Sequence, residues 1–342
     1  MSVNGFGFRW LQRISAVLAL LGVLAAAGFW AAQRWVDTPL NLTKPEVQVT
    51  VERGASAREV AALWAAEGVD APASWLAQWF MWSGQARRIR AGTYAVVPGV
   101  TPRSLLQKMV DGDEALASVR LIEGWTFAQF RQALAKAPHL VNTTAAMDEA
   151  QLMAAIGAES VRAEGRFFPD TYRYPRGASD TAVLRQAYQA MQQRLAAAWA
   201  ARATDIPLQS ADEALILASI GEKETGRASD RGQIAGVFVN RLRINMPLQT
   251  DPTVIYGLGE RFDGNLRRRD MEADTPFNTY TRRGLPPTPI AMPGAQSLLA
   301  AVQPESTRAL YFVARGDGSS AFSESLAEHN RAVNQYQRRQ AP

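Results

Sequence analysis

The segment of the chain with the clearest potential for chemistry is residues 212–230, which read DEALILASIGEKETGRASD. On a helix at 100° per residue, this segment has an apolar arc formed by Ile216, Leu217 and Ile220. Glu224 falls inside that arc, whereas Glu222 projects roughly 160° away from it. An apolar surrounding disfavours the charged form of a carboxylate and raises its pKa. Glu224 is therefore predicted to stay protonated near neutral pH and to act as a general acid.

The same segment allows a second interpretation, in which Glu224 lies at the exposed end of its helix and pairs with Arg227. These residues alone do not separate the two interpretations. Under either one, Glu222 is predicted to be a surface group or to support the acid indirectly.

Polar side chains that could bind a sugar follow in two later segments of the chain. They are Asn240, Gln249, Thr250, Asn278 and Tyr280. Their donors and acceptors suit hydroxyl and acetamido groups, although loops of this composition can also be rigid connectors. Asp251 precedes a proline, so it is predicted either to support the site or to cap a helix.

The composition of the 342 residues excludes several classes of enzyme. The chain has no cysteine and two histidines, so it cannot build thiolate nucleophiles or Cys/His zinc sites. No G-x-S-x-G motif accompanies His139 or His329, which argues against a serine triad. Catalysis is therefore expected from carboxylates, without a metal or an organic cofactor.

The net charge of +5 favours acidic polymers as partners, such as an anionic cell-wall glycan. The positive charges are dispersed, and no basic run with interleaved aromatic residues occurs. Nucleic acid is therefore not expected as a partner.

The N-terminal region is predicted to hold one membrane anchor. Residues 14–32 carry no charge over nineteen positions, which is long enough to span a bilayer as a helix. Arg9 and Arg13 precede this run and favour a cytoplasmic N-terminus, with the rest of the chain outside the cytoplasm. A signal peptide cleaved near residues 25–27 is the alternative.

The elements that follow the anchor predict a small α/β subdomain. After a linker at residues 36–45, VQVTV reads as a strand, and Ser56 with Glu59 forms a capping box for a helix. A second helix over residues 72–83 carries Trp75, Trp79 and Trp82 at helical spacing, which predicts that they face the core. A strand at 90–99 and a helix beginning at residue 101 complete a pattern that resembles LysM-like modules.

The later elements predict a larger mixed domain. Helices are expected at residues 180–201 and 233–243, and Gly316 to Ser319 read as the turn of a β-hairpin. A last helix carries His329. The fold class predicted for the whole chain is α+β, with small mixed sheets.

Five motifs together resemble the YceG-like endolytic murein transglycosylases. They are LASIGEKETGRASDRGQIAGVFVNRL, LQTDPTVIYGLG, NTYTRRGLPPTPIAMPG, EGRFFPDTYRYP and LYFVARGDG followed by F-x-x-x-L-x-x-H-N. In that family the catalytic acid is the second glutamate of the E-K-E-T motif, which corresponds to Glu224. One departure is Gly221, where the family commonly has a bulky aliphatic residue.

The resemblance implies a membrane-anchored enzyme that cuts nascent peptidoglycan between N-acetylmuramic acid and N-acetylglucosamine and so terminates glycan elongation. It implies an anchor at residues 1–34, a LysM-like subdomain at 46–117 and a catalytic domain at 118–340. The location is the inner (plasma) membrane, with one membrane-spanning helix and the catalytic domain on the periplasmic or extracytoplasmic side. Peptidoglycan synthases and division proteins are possible partners.

Two alternatives to this activity stay open on the residues alone. A muramidase would use Glu224 as the acid together with Asp251 or Glu222 and a water molecule. A non-catalytic peptidoglycan-binding scaffold would use Glu224 only structurally.

Overall fold

The computed structural model describes residues 5–224 and 227–338, with side chains described for residues 17–224 and 227–337. The α-helices in these ranges are α1 (Gly5–Val36), α2 (Ala57–Glu67), α3 (Ala73–Trp82), α4 (Pro102–Asp111), α5 (Phe127–Ala135), α6 (Glu149–Ala155), α7 (Asp180–Ala200), α8 (Ala211–Glu224), α9 (Arg231–Arg243), α10 (Asp251–Leu258), α11 (Arg268–Glu272), α12 (Ala295–Val302) and α13 (Leu326–Val333). The strands are β1 (Asn41–Leu42), β2 (Val47–Val51), β3 (Val69–Asp70), β4 (Gly92–Val96), β5 (Leu116–Arg120), β6 (Thr171–Pro175), β7 (Tyr311–Ala314) and β8 (Ser320–Ser323).

The described strands form small two-stranded sheets, pairing β1 with β3, β2 with β4, β5 with β6, and β7 with β8. Helices supply most of the remaining structure. This arrangement confirms the predicted α+β class, but the predicted mixed sheets are wrong, because each described sheet has only two strands.

The chain divides into two compact units, residues 1–116 and 117–342. In the first unit, β2 and β4 pair antiparallel, with Val47 opposite Val96. The capping box of Ser56 and Glu59 begins α2, as predicted, since each side chain bonds the backbone N–H of the other. This unit has its own apolar core, in which Trp64 is fully buried.

Two predictions for the first unit are wrong. Residues 36–45 are not a free linker, because Val36 and Leu40 are buried and β1 pairs with β3. On α3, the buried side chains are Leu76, Ala77 and Phe80, whereas Trp75 and Trp82 are 58% and 71% exposed. The buried face of α3 thus consists of two aliphatic side chains and a phenylalanine. Two of the three tryptophans predicted to face the core lie on the surface instead.

Helix α1 contains one stretch, Val17–Val36, that is long and apolar enough to cross a membrane. Residues 17–30 of this stretch are all exposed and only Val36 at its end is buried, so it is not a core helix. Length and composition are compatible with a single-pass anchor, and a signal sequence has the same properties.

The second unit is built around α8. Seven consecutive residues of this helix, 214–220, are buried, so α8 is enclosed on all sides along its middle. It packs against α7, α9, α10 and α12. The predicted apolar arc of Ile216, Leu217 and Ile220 is buried, as are the residues between them, and α8 carries polar side chains in its first and last turns.

A close backbone contact brings the β7–β8 hairpin near the end of α8. A Cβ at Gly236 of α9 would lie 2.6 Å from the carbonyl oxygen of Glu305, so only glycine allows this approach. The amide nitrogen of Asn240, one turn later, donates to the carbonyls of Thr307 and Ala309 at 2.8 and 3.1 Å. These contacts fix the segment that leads into β7 against α9. The hairpin itself confirms the predicted turn at Gly316 to Ser319, which connects β7 and β8.

Candidate active site

Glu224 is the last residue of α8, and its side chain is half-buried. The hydroxyl of Thr250 donates a hydrogen bond to its Oε1. Thr250 directly precedes α10, and its backbone N–H donates to the hydroxyl of Thr279 at 3.1 Å. The hydroxyl of Thr279 also contacts that of Thr253 at 2.9 Å. Thr250, the partner of Glu224, is thus held in place by Thr279, and this fixes the position of the Glu224 carboxylate.

The electrostatic environment of Glu224 favours its protonated form. Burial raises the pKa of this carboxyl to about 7, and the negative charge of Asp251 adds to the rise. The Thr250 hydrogen bond and the Arg241 cation act in the opposite direction. Glu224 can therefore both donate and accept a proton near neutral pH, as a general acid that later acts as a base must do.

Asp251, the first residue of α10, lies in the same cleft and is bound by Tyr280. The phenol of Tyr280 donates to Oδ1 of Asp251 at 2.5 Å. Burial, and next the bond to Asp251, raises the pKa of Tyr280, so the phenol stays protonated and remains a donor. The pair links the start of α10 to the loop that follows α11.

Arg241 supplies a buried positive charge next to these carboxylates. Its Nε donates to the carbonyl of Leu310 at 2.7 Å, and Nη1 donates to that of Leu248 at 2.8 Å. Nη1 also reaches Oε1 of Gln249 at 3.4 Å. Because its donors face oxygens of both segments, Arg241 joins the segment before β7 to the loop before α10.

These side chains line a cleft of about 560 Å³. One side is polar and consists of Glu224, Arg241, Gln249, Asp251 and Tyr280. The other side comes from the β7–β8 hairpin and α13 and includes Tyr311, Leu326, His329 and Val333. The rings of Tyr311 and His329 stack at 5.2 Å, and the Arg241 guanidinium lies 5.2 Å from the Tyr311 ring. A cleft with one ionisable and one aromatic side suits a polar, ring-shaped ligand such as a sugar.

Four of the residues singled out from the sequence line this cleft or touch Glu224. Gln249, Asp251 and Tyr280 line it, and Thr250 is buried directly against Glu224. Gln249 adopts a left-handed backbone conformation, with φ of 49°, which is unusual for a residue other than glycine. Its backbone N–H donates to the carbonyl of Thr279 at 3.0 Å, which holds this conformation in place.

Two other predicted binding residues do not line the cleft. Asn240 uses its amide nitrogen on the segment before β7, as described above. Asn278 is fully buried, and its amide nitrogen donates to the carbonyls of Asp270, Met271 and Ala273. Its Oδ1 accepts from the backbone N–H of Tyr280 at 2.9 Å. Both asparagines therefore order loops that carry cleft residues.

Glu222 points away from the cleft, as the helical spacing predicted. Its Oε2 accepts from the backbone N–H of Gly294 at 2.9 Å and from the hydroxyl of Ser297 at 2.7 Å. Its other oxygen lies 3.7 Å from the Arg231 guanidinium. A carboxylate at the start of α12 stabilises that helix through its free N–H groups and its dipole. A Cβ at the neighbouring Gly221 would meet nothing within 4 Å, so no close contact requires glycine there.

Sequence reasoning missed the aromatic side of the cleft. Tyr311 and His329 lie more than eighty residues from Glu224 in the chain, and no local pattern connects them to it. The last of the five family motifs, LYFVARGDG followed by F-x-x-x-L-x-x-H-N, contains both residues, but the sequence assigns neither of them a role. Among the described residues, no group of three or more acidic or histidine side chains is placed to hold a metal ion.

Comparison with known proteins identifies similar chains. The sequence model of the YceG-like family matches residues 49–335. An endolytic murein transglycosylase of Bacillus subtilis is 46% identical over 127 residues, which cover 37% of this chain and 35% of the relative. One of Streptococcus pneumoniae serotype 2 is 24% identical over 370 aligned positions, which cover 94% of this chain and 64% of the relative. The chain thus spans less than two thirds of either relative.

A solved structure is also similar to this chain. The crystal structure of a YceG-like protein from Listeria monocytogenes superposes with a TM-score of 0.51 at 28% identity. The match covers 84% of this chain and 99% of that one.

Proposed function

The chain belongs to the YceG-like family, and we propose from this premise that it is an endolytic murein transglycosylase. It cuts peptidoglycan strands internally, between N-acetylmuramic acid and N-acetylglucosamine, and leaves a 1,6-anhydro end. The observation that carries the proposal is Glu224, a carboxylic acid whose pKa burial raises to about 7, on the polar side of a cleft. A group of this kind can donate and then accept a proton at neutral pH.

In the proposed reaction, protonated Glu224 donates its proton to the glycosidic oxygen while the bond from that oxygen to the muramic acid anomeric carbon breaks. Positive charge develops on the anomeric carbon and ring oxygen. The Glu224 carboxylate then takes the proton of the same sugar's 6-hydroxyl as its oxygen bonds to the anomeric carbon. Glu224 ends protonated again. Because both reacting groups belong to one ring, little entropy is lost in bringing them together.

The surrounding residues have distinct proposed roles. Thr250 fixes the Glu224 carboxylate through its hydroxyl. Asp251, held by Tyr280, places a negative charge in the cleft, where it would stabilise the developing positive charge. Gln249 offers an amide to the sugar, and the stacked Tyr311 and His329 form an apolar surface for its ring. Asn240 and Asn278 act on substrate only indirectly, through the loops that they hold.

Asp251 also supports a second candidate, a water-dependent muramidase. It lies in the same cleft as Glu224, and its charge affects the pKa of that group. In this alternative Asp251 would assist an attacking water molecule, and the product would have a reducing end. The two products differ by one water in mass.

The proposal extends to the organisation of the chain. Residues 1–34 form a single-pass anchor in the inner (plasma) membrane, with a cytoplasmic N-terminus. Residues 46–117 form a LysM-like subdomain, and residues 118–340 form the catalytic domain on the periplasmic or extracytoplasmic side. Cleavage close to the membrane would end the elongation of nascent strands, in company with peptidoglycan synthases and division proteins.

The test uses the full chain in detergent, incubated with purified peptidoglycan, and mass spectrometry of the products. Anhydro ends that disappear with Glu224→Gln support the proposal, and reducing ends indicate the muramidase. The matched control is Glu260→Gln, which changes an exposed carboxylate outside the cleft lining. If Glu224→Gln cleaves as well as the unmodified chain, Glu224 is not the acid.

A further inference from the structure

An apolar groove in the first unit lies between the end of α1 and α3. Its volume is about 380 Å³. Gly28, Ala31, Ala32, Trp35 and Val36 form the α1 side, and Trp75, Gln78, Trp79 and Trp82 form the α3 side. The α1 residues all belong to the stretch Val17–Val36 that could cross a membrane. Helix α3 therefore lies beside the last turns of that stretch.

The tryptophans of this groove are placed as tryptophans are placed at the surface of a bilayer. Trp75 and Trp82 are 58% and 71% exposed, and Trp30, which lies on α1 outside the groove, is exposed as well. The rings of Trp75 and Trp35 meet edge to face at 5.6 Å, which brings α3 to the level of the end of α1. Tryptophan is enriched at the membrane–water interface because its ring is apolar and its N–H is polar. Exposed apolar patches mark interaction sites, and a bilayer surface would account for two exposed tryptophans on one helix.

Several contacts connect α1 to the rest of the first unit, so the depth of α1 in a membrane also sets the depth of α3. Arg103 of α4 donates to Asp37 at 2.6 Å and to Gln33 at 3.2 Å, and its guanidinium lies 5.2 Å from the Trp79 ring. The backbone N–H of Leu40 donates to the carbonyl of Val100 at 2.8 Å. A span that ends near Val36 therefore places the groove at the membrane surface.

Basic side chains in this part of the chain fit the same partner. Arg34 on α1 is exposed and its guanidinium lies 5.2 Å from the Trp30 ring, and Arg87 and Arg88, in the short helix after α3, are exposed too. Basic side chains next to an apolar, aromatic face attract anionic lipid headgroups.

We propose that the face made by Trp75, Trp82 and the adjoining groove is seated in the headgroup region of the lipid bilayer. This inference rests on the membrane anchor of the proposed function. It gives the first unit a fixed place on the membrane surface, held by α3 in addition to α1.

The absence of cysteine from the chain makes the test direct, since a single introduced cysteine can carry a fluorescent label. The full chain is labelled with an environment-sensitive dye at Gln78→Cys in the groove, at Leu24→Cys within the span, or at Arg53→Cys. Arg53 is exposed and lies just after β2, at the end of the β2–β4 pair where Val51 faces Gly92. The other end of β4 leads to Val100, which bonds Leu40 just after α1. Each protein is placed in vesicles of phosphatidylcholine and phosphatidylglycerol that contain spin-labelled lipids as quenchers.

The expected result is strong quenching at position 24 by deep quenchers, strong quenching at position 78 by shallow quenchers, and none at position 53. Quenching at 24 without quenching at 78 overturns the inference while the anchor stands. A dye at 78 that is shielded from water and yet unquenched also overturns it, in favour of a second protein in the groove. An unquenched label at 24 removes the anchor and the inference together, but leaves the proposed cleavage activity to its own test.

A second variant tests the tryptophans themselves. Replacing Trp75 and Trp82 by serine should reduce the shallow quenching at position 78 by about twofold or more, with quenching at 24 unchanged. The matched control is Leu63→Ser, which removes a 38%-exposed apolar side chain from α2. Equal quenching at 78 in the double variant and in the control would mean that the tryptophans do not seat the unit.

Discussion

Glu222 and Glu224 lie two residues apart on α8, and their carboxylates have opposite surroundings. Glu222 accepts hydrogen bonds from the start of α12 and faces Arg231. Glu224 has one hydroxyl partner, a nearby carboxylate and an open cleft. Helix geometry separates the two side chains, whereas the neighbouring loops determine the contacts of each one. Glu222 binds the start of a helix, and Glu224 is suited to exchange protons.

Removing each carboxyl group's charge in turn tests the difference between the two glutamates most directly. Glu224→Gln should lower the rate of anhydro-product formation by about 10²–10⁴-fold, since that is the usual contribution of a general acid. The measurement is the initial rate of product release by mass spectrometry, with folding checked by circular dichroism. A loss of activity in Glu222→Gln as large as that in Glu224→Gln, with the fold intact, would reverse the roles assigned to the two residues.

The next largest effect concerns stability against pH. A carboxyl with a pKa raised from 4.5 to about 7 keeps its proton in the folded state after the unfolded chain has released it. The stability that this group adds to the folded state is therefore fully present below pH 4.5. It is lost as the pH rises through 7, which lowers the free energy of unfolding by at most about 3 kcal/mol. Urea unfolding of the wild type at pH 5 and pH 7.5 should show this decline, and Glu224→Gln should show a shallower one.

The decline should not vanish in Glu224→Gln, because burial also raises the pKa of Glu164 to about 7. That carboxylate accepts from the backbone N–H of Phe127 and from the phenol of Tyr256. Glu164→Gln should therefore remove a further part of the slope. Parallel pH profiles for the wild type and both variants would contradict the raised pKa values.

Glu222→Ala tests the structural role of the other glutamate. It leaves the backbone N–H of Gly294 and the hydroxyl of Ser297 without their partner and Arg231 without its nearby charge. The free energy of unfolding should fall by about 1–3 kcal/mol, while cleavage per folded molecule is retained at low temperature. Denaturant unfolding measures the first quantity and the product assay the second. Unchanged stability would mean that these hydrogen bonds contribute nothing net.

The smallest predicted effect is a shift in pH dependence caused by Thr250→Val. The Thr250 hydroxyl lowers the pKa of Glu224 by bonding to its charged form, so its removal should raise that pKa. Because the acid must be protonated, activity falls as the pH rises through about 7, and this fall should move to higher pH in the variant. A pH–rate profile from pH 5 to 9 measures the shift. A profile that moves to lower pH would contradict the assigned hydrogen bond.

Much of the local structure follows from neighbouring residues alone. The capping box at Ser56 and Glu59, the β7–β8 turn and the helix that carries Glu224 were all predictable, because each depends on contacts within a few residues. The opposite directions of Glu222 and Glu224 follow from the helical repeat. The stripe of tryptophans on α3 misled the prediction, since helical spacing indicates a shared face but not which face is buried.

The sequence alone was enough to predict the α+β class, the positions of the main helices and the family. Which polar side chains reach the cleft depends on the tertiary structure. Asn240 and Asn278 look as suitable as Gln249 and Tyr280 in the sequence, but their amide donors are taken by backbone carbonyls. A hydrogen-bonding side chain can bind a ligand only where folding leaves it unused, and that depends on partners far along the chain.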